Sequence, residues 1–256
     1  MNIRRFVSSS LTVAEMEARK IRHDTTELWT RVIQPALWLL VFGVTFNSVK
    51  GLPSGSFSYI QFITPGILAQ SVLFIAIFYG ITVVWERDVG IITKLLSMPA
   101  SRTSIVLGKS LSASLRGVFQ AVMIFVLALL LGVKIRLDPV DVAGVFAIVI
   151  LFAICFSSLS MLIASFMKTR DRMMGIGQAL TMPLFFASNA IYPISIMPVW
   201  LQYVSVANPL SYVVDAMRSM LLSGNYSNLP IDIAALLVST TAFVGLASFT
   251  IRRLLE

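Results

Sequence analysis

The most inviting chemical cluster in this chain, residues 85–109, is not built to hold a substrate. It reads WERDVGIITKLLSMPASRTSIVLGK and gathers Glu86, Arg87, Asp88, Lys94, Arg102 and Lys109 between two long apolar runs. Leu107-Gly108-Lys109-Ser110 looks like the end of a phosphate-cradling loop. Such a loop needs another glycine five residues before Gly108, so that successive backbone amides can wrap the phosphates. Thr103 stands there instead, and an apolar run follows. Nucleotide binding by that route is excluded. His23 is the one histidine and Cys155 the one cysteine. Metal clusters, an HExxH site, a Ser/His/Asp set and an internal disulfide therefore have no parts to be built from. His23 is expected to be a solvated residue on a charged helix. None of the twelve Asp and Glu falls at the centre of an apolar run, where an ion-coupled carrier keeps its titratable group. What remains for residues 85–109 is mechanical. Val89, Ile92, Leu95 and Leu96 recur at helical spacing, which predicts a short helix over 86–97. Glu86 and Asp88 would sit at its start, where the helix dipole favours acids, and Pro99 would end it. That helix suits either a lipid surface or a groove in a soluble partner, with aliphatics as anchors and charges at the rim. Composition does not choose between them.

The elements holding this cluster are membrane helices. Hydrophobic residues make up 57% of the 256, charged ones only 12%, and mean hydropathy is +0.87. Soluble domains run near 45–50% apolar and about 25% charged. The expected class is an all-α integral membrane protein. Net charge is +8, but Lys and Arg sit in short clusters between apolar runs, which argues against nucleic acid as a partner. Six segments reach the roughly 20 apolar residues needed to cross a bilayer: 29–49, 59–84, 105–133, 140–167, 174–191 and 231–251. With the N-terminus inside, the cytosolic connections carry sixteen of the 20 Lys and Arg. The other side carries Lys50, Lys134, Arg136 and Arg218. That asymmetry predicts both termini in the cytosol. MNIRRFVSSS has no signal-peptide apolar core, so no cleavage is expected.

Two further segments are unusual. In residues 1–28, Val7, Leu11, Ala14, Ala18, Ile21, Thr25 and Leu28 recur at steps of four and three, with Glu15, Glu17, Arg19, Lys20 and Arg22 off that stripe. This predicts an amphipathic helix lying in the headgroup layer, leaving 29–256 as the six-span domain. Residues 192–230 are too apolar for a solvated loop, and Pro193, Pro198 and Pro209 break them. Two short helices over 193–222 that dip into the outer leaflet and return fit this best. Asp215 and Arg218 on the second are spaced for an ion pair, which equally suits an ordinary surface pair. Arg116 falls near the cytosolic end of the third span. Its stem can snorkel to the interface, or it can meet an anionic substrate or headgroup.

The stretch Trp85-Glu86-Arg87-Asp88-x-Gly90, through Leu95-Leu96-x-x-Pro99-x-Ser101-Arg102 to Leu107-Gly108-Lys109, resembles the signature of the membrane subunits of type-2 ATP-binding-cassette exporters. So does Asn208-Pro209-Leu210-x-Tyr212-x-x-Asp215-x-x-Arg218. The likeness covers essentially the whole chain. Asp88 stands where many relatives carry Glu, which keeps the charge. The resemblance implies a half-permease that pairs with itself, joined by two copies of a separate ATPase that binds the ATP and Mg. No cofactor is implied in this chain, and the chain itself is no enzyme. Residues 86–97 would be the coupling helix, with Glu86, Arg87, Asp88, Gly90, Ile92, Leu95, Leu96, Pro99 and Arg102 at the contact. The first and fifth spans would line the dimer interface and path, supplying Phe42, Phe185, Phe186 and Asn189, with Trp38, Phe46 and Met182. Asn208, Pro209, Asp215 and Arg218 would shape the re-entrant element. The cargo implied is amphiphilic (a drug, a lipid or a lipid-linked glycan), exported across a cytoplasmic membrane.

Other classes fare worse on the residues. An ion-gradient carrier would show a titratable mid-span group, and a membrane-embedded enzyme a catalytic pair within the bilayer. A scaffold would have little use for a re-entrant segment.

Overall fold

The structure is a computed structural model and describes residues 3–23, 25–47, 57–97 and 100–255. The described residues form helices joined by short turns. Helix α1 spans Ile3–His23. Helix α2, Thr25–Leu37, passes through a π-helical turn, Trp38–Gly43, into α3, Val44–Asn47. The long helices α4 (Tyr59–Asp88), α6 (Arg102–Leu130) and α7 (Pro139–Ala164) follow, with the short α5 (Ile91–Ser97) between the first two. Then come α8 (Arg170–Phe186), the paired short helices α9 (Val199–Ala207) and α10 (Pro209–Arg218), and α11 (Leu229–Thr250).

Five of these stretches are long and apolar enough to cross a membrane: Trp29–Phe46, Tyr59–Asp88, Arg102–Leu130, Pro139–Ala164 and Leu229–Leu254. They match five of the six expected spans to within a few residues. The remaining one, 174–191, falls on α8, which has 17 residues. At 1.5 Å per residue that is roughly 26 Å, short of the ~30 Å hydrocarbon core. Its first turn is Arg170, Asp171 and Arg172, and after Phe186 the chain turns aside. Residues 193–222 do form two short helices. Asn208 caps α10 by accepting from the Leu210 amide at 3.0 Å, with Pro209 as first residue of the helix.

Helix α4 is the axis of the bundle, sequestered along most of its length between α6, α7, α8 and α10. In lipid no hydrophobic drive pulls apolar helices together, so close backbone approach and polar contacts must do it. Gly80 meets α7, where the Ser160 hydroxyl accepts from the Gly80 amide at 2.9 Å and donates to the Ile77 carbonyl. Gly66 lies against the Ala190 backbone in the turn after α8, leaving no room for a side chain. At the far end of the bundle, Asp141 takes Arg136 (3.3 Å) and the Tyr226 hydroxyl (2.6 Å). That hydrogen bond to a carboxylate pushes the Tyr226 phenol above its ordinary pKa.

Helix α1 packs along α6. Val7 and Leu11 are exposed, whereas Ser10 and Val13 are buried against α6. The side chains of Ala18, Ile21, Thr25 and Leu28 lie outside the described residues. The seat on α6 is Gly108, where an added Cβ would stand 2.7 Å from the Ser10 carbonyl oxygen and 2.6 Å from the Val13 Cβ. Val7 and Leu11 thus face away from the bundle, and Ser10 and Val13 do the docking. Gly108→Leu should unseat α1 at a cost of about 1–3 kcal/mol. Limited proteolysis of the purified protein would then cut within residues 3–23, and undiminished protection would contradict the assignment.

Candidate coupling face

Helix α4 does not stop at Val84, where the expected span ends. It runs through Trp85, Glu86, Arg87 and Asp88, so these residues form its last turn. They had been expected to open the short helix, with the acids at a favourable N-terminus. They sit instead at a C-terminus, where the dipole disfavours acids, and each acid is compensated by a cation. Glu86 and Lys109 are both fully buried and form an ion pair that ties the end of α4 to the start of α6. Arg87 donates to the carbonyls of Met167 (2.7 Å) and Lys168 (2.8 Å), the frayed end of α7. It also pairs with Asp88 at 2.9 Å, and Asp88 reaches Arg170 at the head of α8, 3.5 Å away. Three neighbours are thus fastened to one helical turn by three consecutive residues.

Gly90 then reverses the chain with φ +77, a conformation L side chains rarely adopt. A Cβ there would meet nothing within 4 Å, so the requirement for glycine is purely one of backbone conformation. Helix α5 follows with two different faces. Ile92 and Leu95 are buried in the chain's own core with Val83, Val84, Ile105, Ile251 and Leu254. This corrects the reading of these aliphatics as anchors for a partner groove: a seven-residue helix flanked by α4 and α6 has its apolar side covered from within. Leu96 is half-buried. The outward face is Val89, Thr93, Lys94 and Ser97, with Trp85 and Asp88 beside it and exposed Arg102 at the start of α6. Pro99 lies outside the described residues.

Lys109 is the residue that sequence reasoning missed. It had been counted with the solvated cytosolic cations and within a discarded phosphate motif. The structure gives Gly108 and Lys109 separate jobs, one seating α1 and the other closing the pair with Glu86. Lys109 lies inside the expected third span, about two helical turns beyond Arg102. That position on the membrane side of the cluster was the available clue.

The remaining candidates divide into three groups. Phe42 stacks on Trp38 (centroids 4.4 Å apart) and on Phe46 (5.7 Å), and Trp38 meets Phe185 edge-on at 6.2 Å. Phe185 in turn touches Phe186 at 5.5 Å. This aromatic file joins the first apolar stretch to α8. Phe185 is buried, and Phe186, at 42% exposure, is its open end. Asn189 belongs elsewhere, buried beside Arg218, which donates to its backbone carbonyl at 2.8 Å. Arg218 also pairs with Asp215 at 3.2 Å and lies 4.0 Å over the Phe62 ring of α4. Asn208 donates to the Leu184 carbonyl of α8 at 2.7 Å. The Asn208–Arg218 residues therefore clamp α9 and α10 onto α8 and α4. Arg116 makes the third group. It is buried, donating to Ser112 at 3.1 Å and lying 5.5 Å from the Tyr79 ring centroid.

A family model described as ABC-2 type transporter matches residues 10–222. The chain belongs to this family of transporter membrane subunits, which work with an ATP-binding-cassette ATPase. Among its relatives is the ycf38 transport permease of Cyanophora paradoxa, 31% identical over 202 residues, covering 78% of this chain and 69% of that one. The daunorubicin resistance permease DrrB1 of Streptomyces coeruleorubidus is 25% identical over 84% of this chain and 75% of its own. The inner membrane transport permease YadH of Escherichia coli K12 is 26% identical, covering 86% and 87% respectively. The chain is thus a multi-pass membrane protein of transport-permease type.

Replacing Lys109 by Met should strand a buried carboxylate and cost about 3–5 kcal/mol. The double change Glu86→Gln with Lys109→Met should recover most of that loss, read as thermal unfolding in detergent. Additive losses would deny the pair. Gly90→Ala should cost about 1 kcal/mol through the backbone alone, lowering the unfolding midpoint slightly.

Proposed function

We propose that this chain is the permease half of an ATP-driven exporter for an amphiphilic substrate, worked by a separate ATPase through α5. Two copies of the chain form the path, each seated on one copy of that ATPase, which binds the ATP and Mg. The observation that carries this reading is the construction of residues 85–97. Every charge on the last turn of α4 is engaged with a neighbouring helix of the same chain, while α5 offers outward only a small, mostly polar face. A helix that is pushed must not yield, and one anchored by a fully buried ion pair and two buried aliphatics moves only with the bundle behind it.

In this reading α8 makes the fifth of six crossings together with the turn after it, both termini are cytosolic, and α1 borders the headgroup layer. Helices α9 and α10 dip into the outer leaflet of a cytoplasmic membrane. The aromatic file from Phe46 to Phe186 borders the path between protomers. The name of the DrrB1 relative, daunorubicin resistance, supports a drug or other small amphiphile as cargo and efflux as the direction.

Charge reversal on the outward face tests this. Thr93→Glu with Lys94→Glu should abolish co-purification of the cognate ATPase and reduce substrate efflux at least tenfold. Because both side chains are exposed, unfolding stability should stay within about 0.5 kcal/mol of the parent. Full ATPase recovery together with full efflux would overturn the assignment.

A further inference from the structure

Beside α5 a cleft of about 720 Å³ opens between the ends of α7 and α11. Arg87, Thr93, Ser165, Phe166, Lys168 and Arg253 line it. We propose that this cleft holds the phosphate headgroup of an anionic phospholipid.

Depth is the first argument. The outer face of α11 carries Leu246 and Phe249, both exposed and suited to acyl chains. One turn beyond Phe249 come exposed Arg252 and Arg253. Just past the end of α7 the change is as abrupt, from exposed Phe166 to exposed Lys168. Apolar surface gives way to cations at the same end of two neighbouring helices, which is the depth of lipid headgroups. Charge is the second argument. Three cations line the cleft, and Arg170 and Arg172 follow on α8. The nearby acids are Asp88, already engaged by Arg87 and Arg170, and Asp171 in the first turn of α8. Shape is the third. The Arg253 guanidinium lies 5.0 Å over the Phe166 ring, which orients a planar fork suited to two phosphate oxygens. Basic pockets between helices at the cytoplasmic side are where anionic headgroups bind. Since Thr93 lines both this cleft and the outward face of α5, a bound lipid would brace the lever from the side.

The assignment to the inner leaflet rests on the orientation proposed above, but binding can be measured without any ATPase. The full chain in mild detergent would be titrated with phosphatidylglycerol and, separately, phosphatidylcholine, with lipid adducts counted by native mass spectrometry. Phosphatidylglycerol should bind preferentially. Lys168→Ala with Arg253→Ala should weaken it roughly 30-fold, about 2 kcal/mol for two basic residues. The charge-preserving Lys168→Arg should bind like the parent, as should Arg252→Ala on the same turn outside the cleft. Equal binding of the two lipids, or no loss in the alanine pair, would overturn the proposal. Displacement by millimolar inorganic phosphate would assign the site to a soluble anion and overturn the lipid source. None of these outcomes bears on ATPase docking, so either reading can fail alone.

Discussion

Glu86 on α4 and Lys109 on α6 meet where neither is reached by solvent, and the end of the bundle that carries α5 is organised around that contact. Two charges removed from water carry a desolvation penalty that only close, well-directed pairing offsets. The pair is satisfied in one register of α4 against α6 and leaves two stranded charges in any other. Around it the fasteners follow in chain order. Arg87 covers the open carbonyls of α7, Asp88 reaches the head of α8, and one residue before Lys109 the bare backbone of Gly108 receives α1. A single turn and its partner across the interface set the positions of four helices.

This arrangement separates two tasks that one short helix would otherwise have to share. Helix α5 has only seven residues, too few to be stable alone. Its apolar side, Ile92 and Leu95, is committed to the chain's own core, and its outer side is left for contact. Stiffness therefore comes from tertiary packing and not from helix propensity. The same division appears at the opposite end of the chain's topology. There Asn208 and Arg218 each bond to a backbone carbonyl of the α8 region, so that two helices too short to cross a membrane are held by polar contacts where lipid would give them no cohesion.

Much of this was legible in one dimension. Five crossing helices follow from run length and hydropathy, because the bilayer imposes a minimum apolar length on any crossing helix. The short paired helices after α8 follow from prolines that cannot continue a helix. The motifs around Trp85 and Asn208 fall on residues that tie neighbouring helices together. Their roles were harder to read. Glu86 and Asp88 were placed at a helix start because Pro99 was the visible stop, whereas the actual break is Gly90, which only a positive φ reveals. Helix α8 was drawn as a full span because its apolar residues continue past Phe186 into a turn that packs on Gly66.

By itself the sequence determined that this is a helical membrane protein with a charged, helix-forming connector between its second and third apolar runs. Composition and periodicity are properties of the chain alone, and the bilayer acts on them directly. Only the tertiary structure decided which cation each acid would find, and which side of α5 and α1 would be covered. Lys94 and Lys109 look alike in the connector, fifteen residues apart. One is exposed and the other sealed against Glu86 because partner choice depends on where α4, α6 and α7 cross, and no local pattern encodes that crossing.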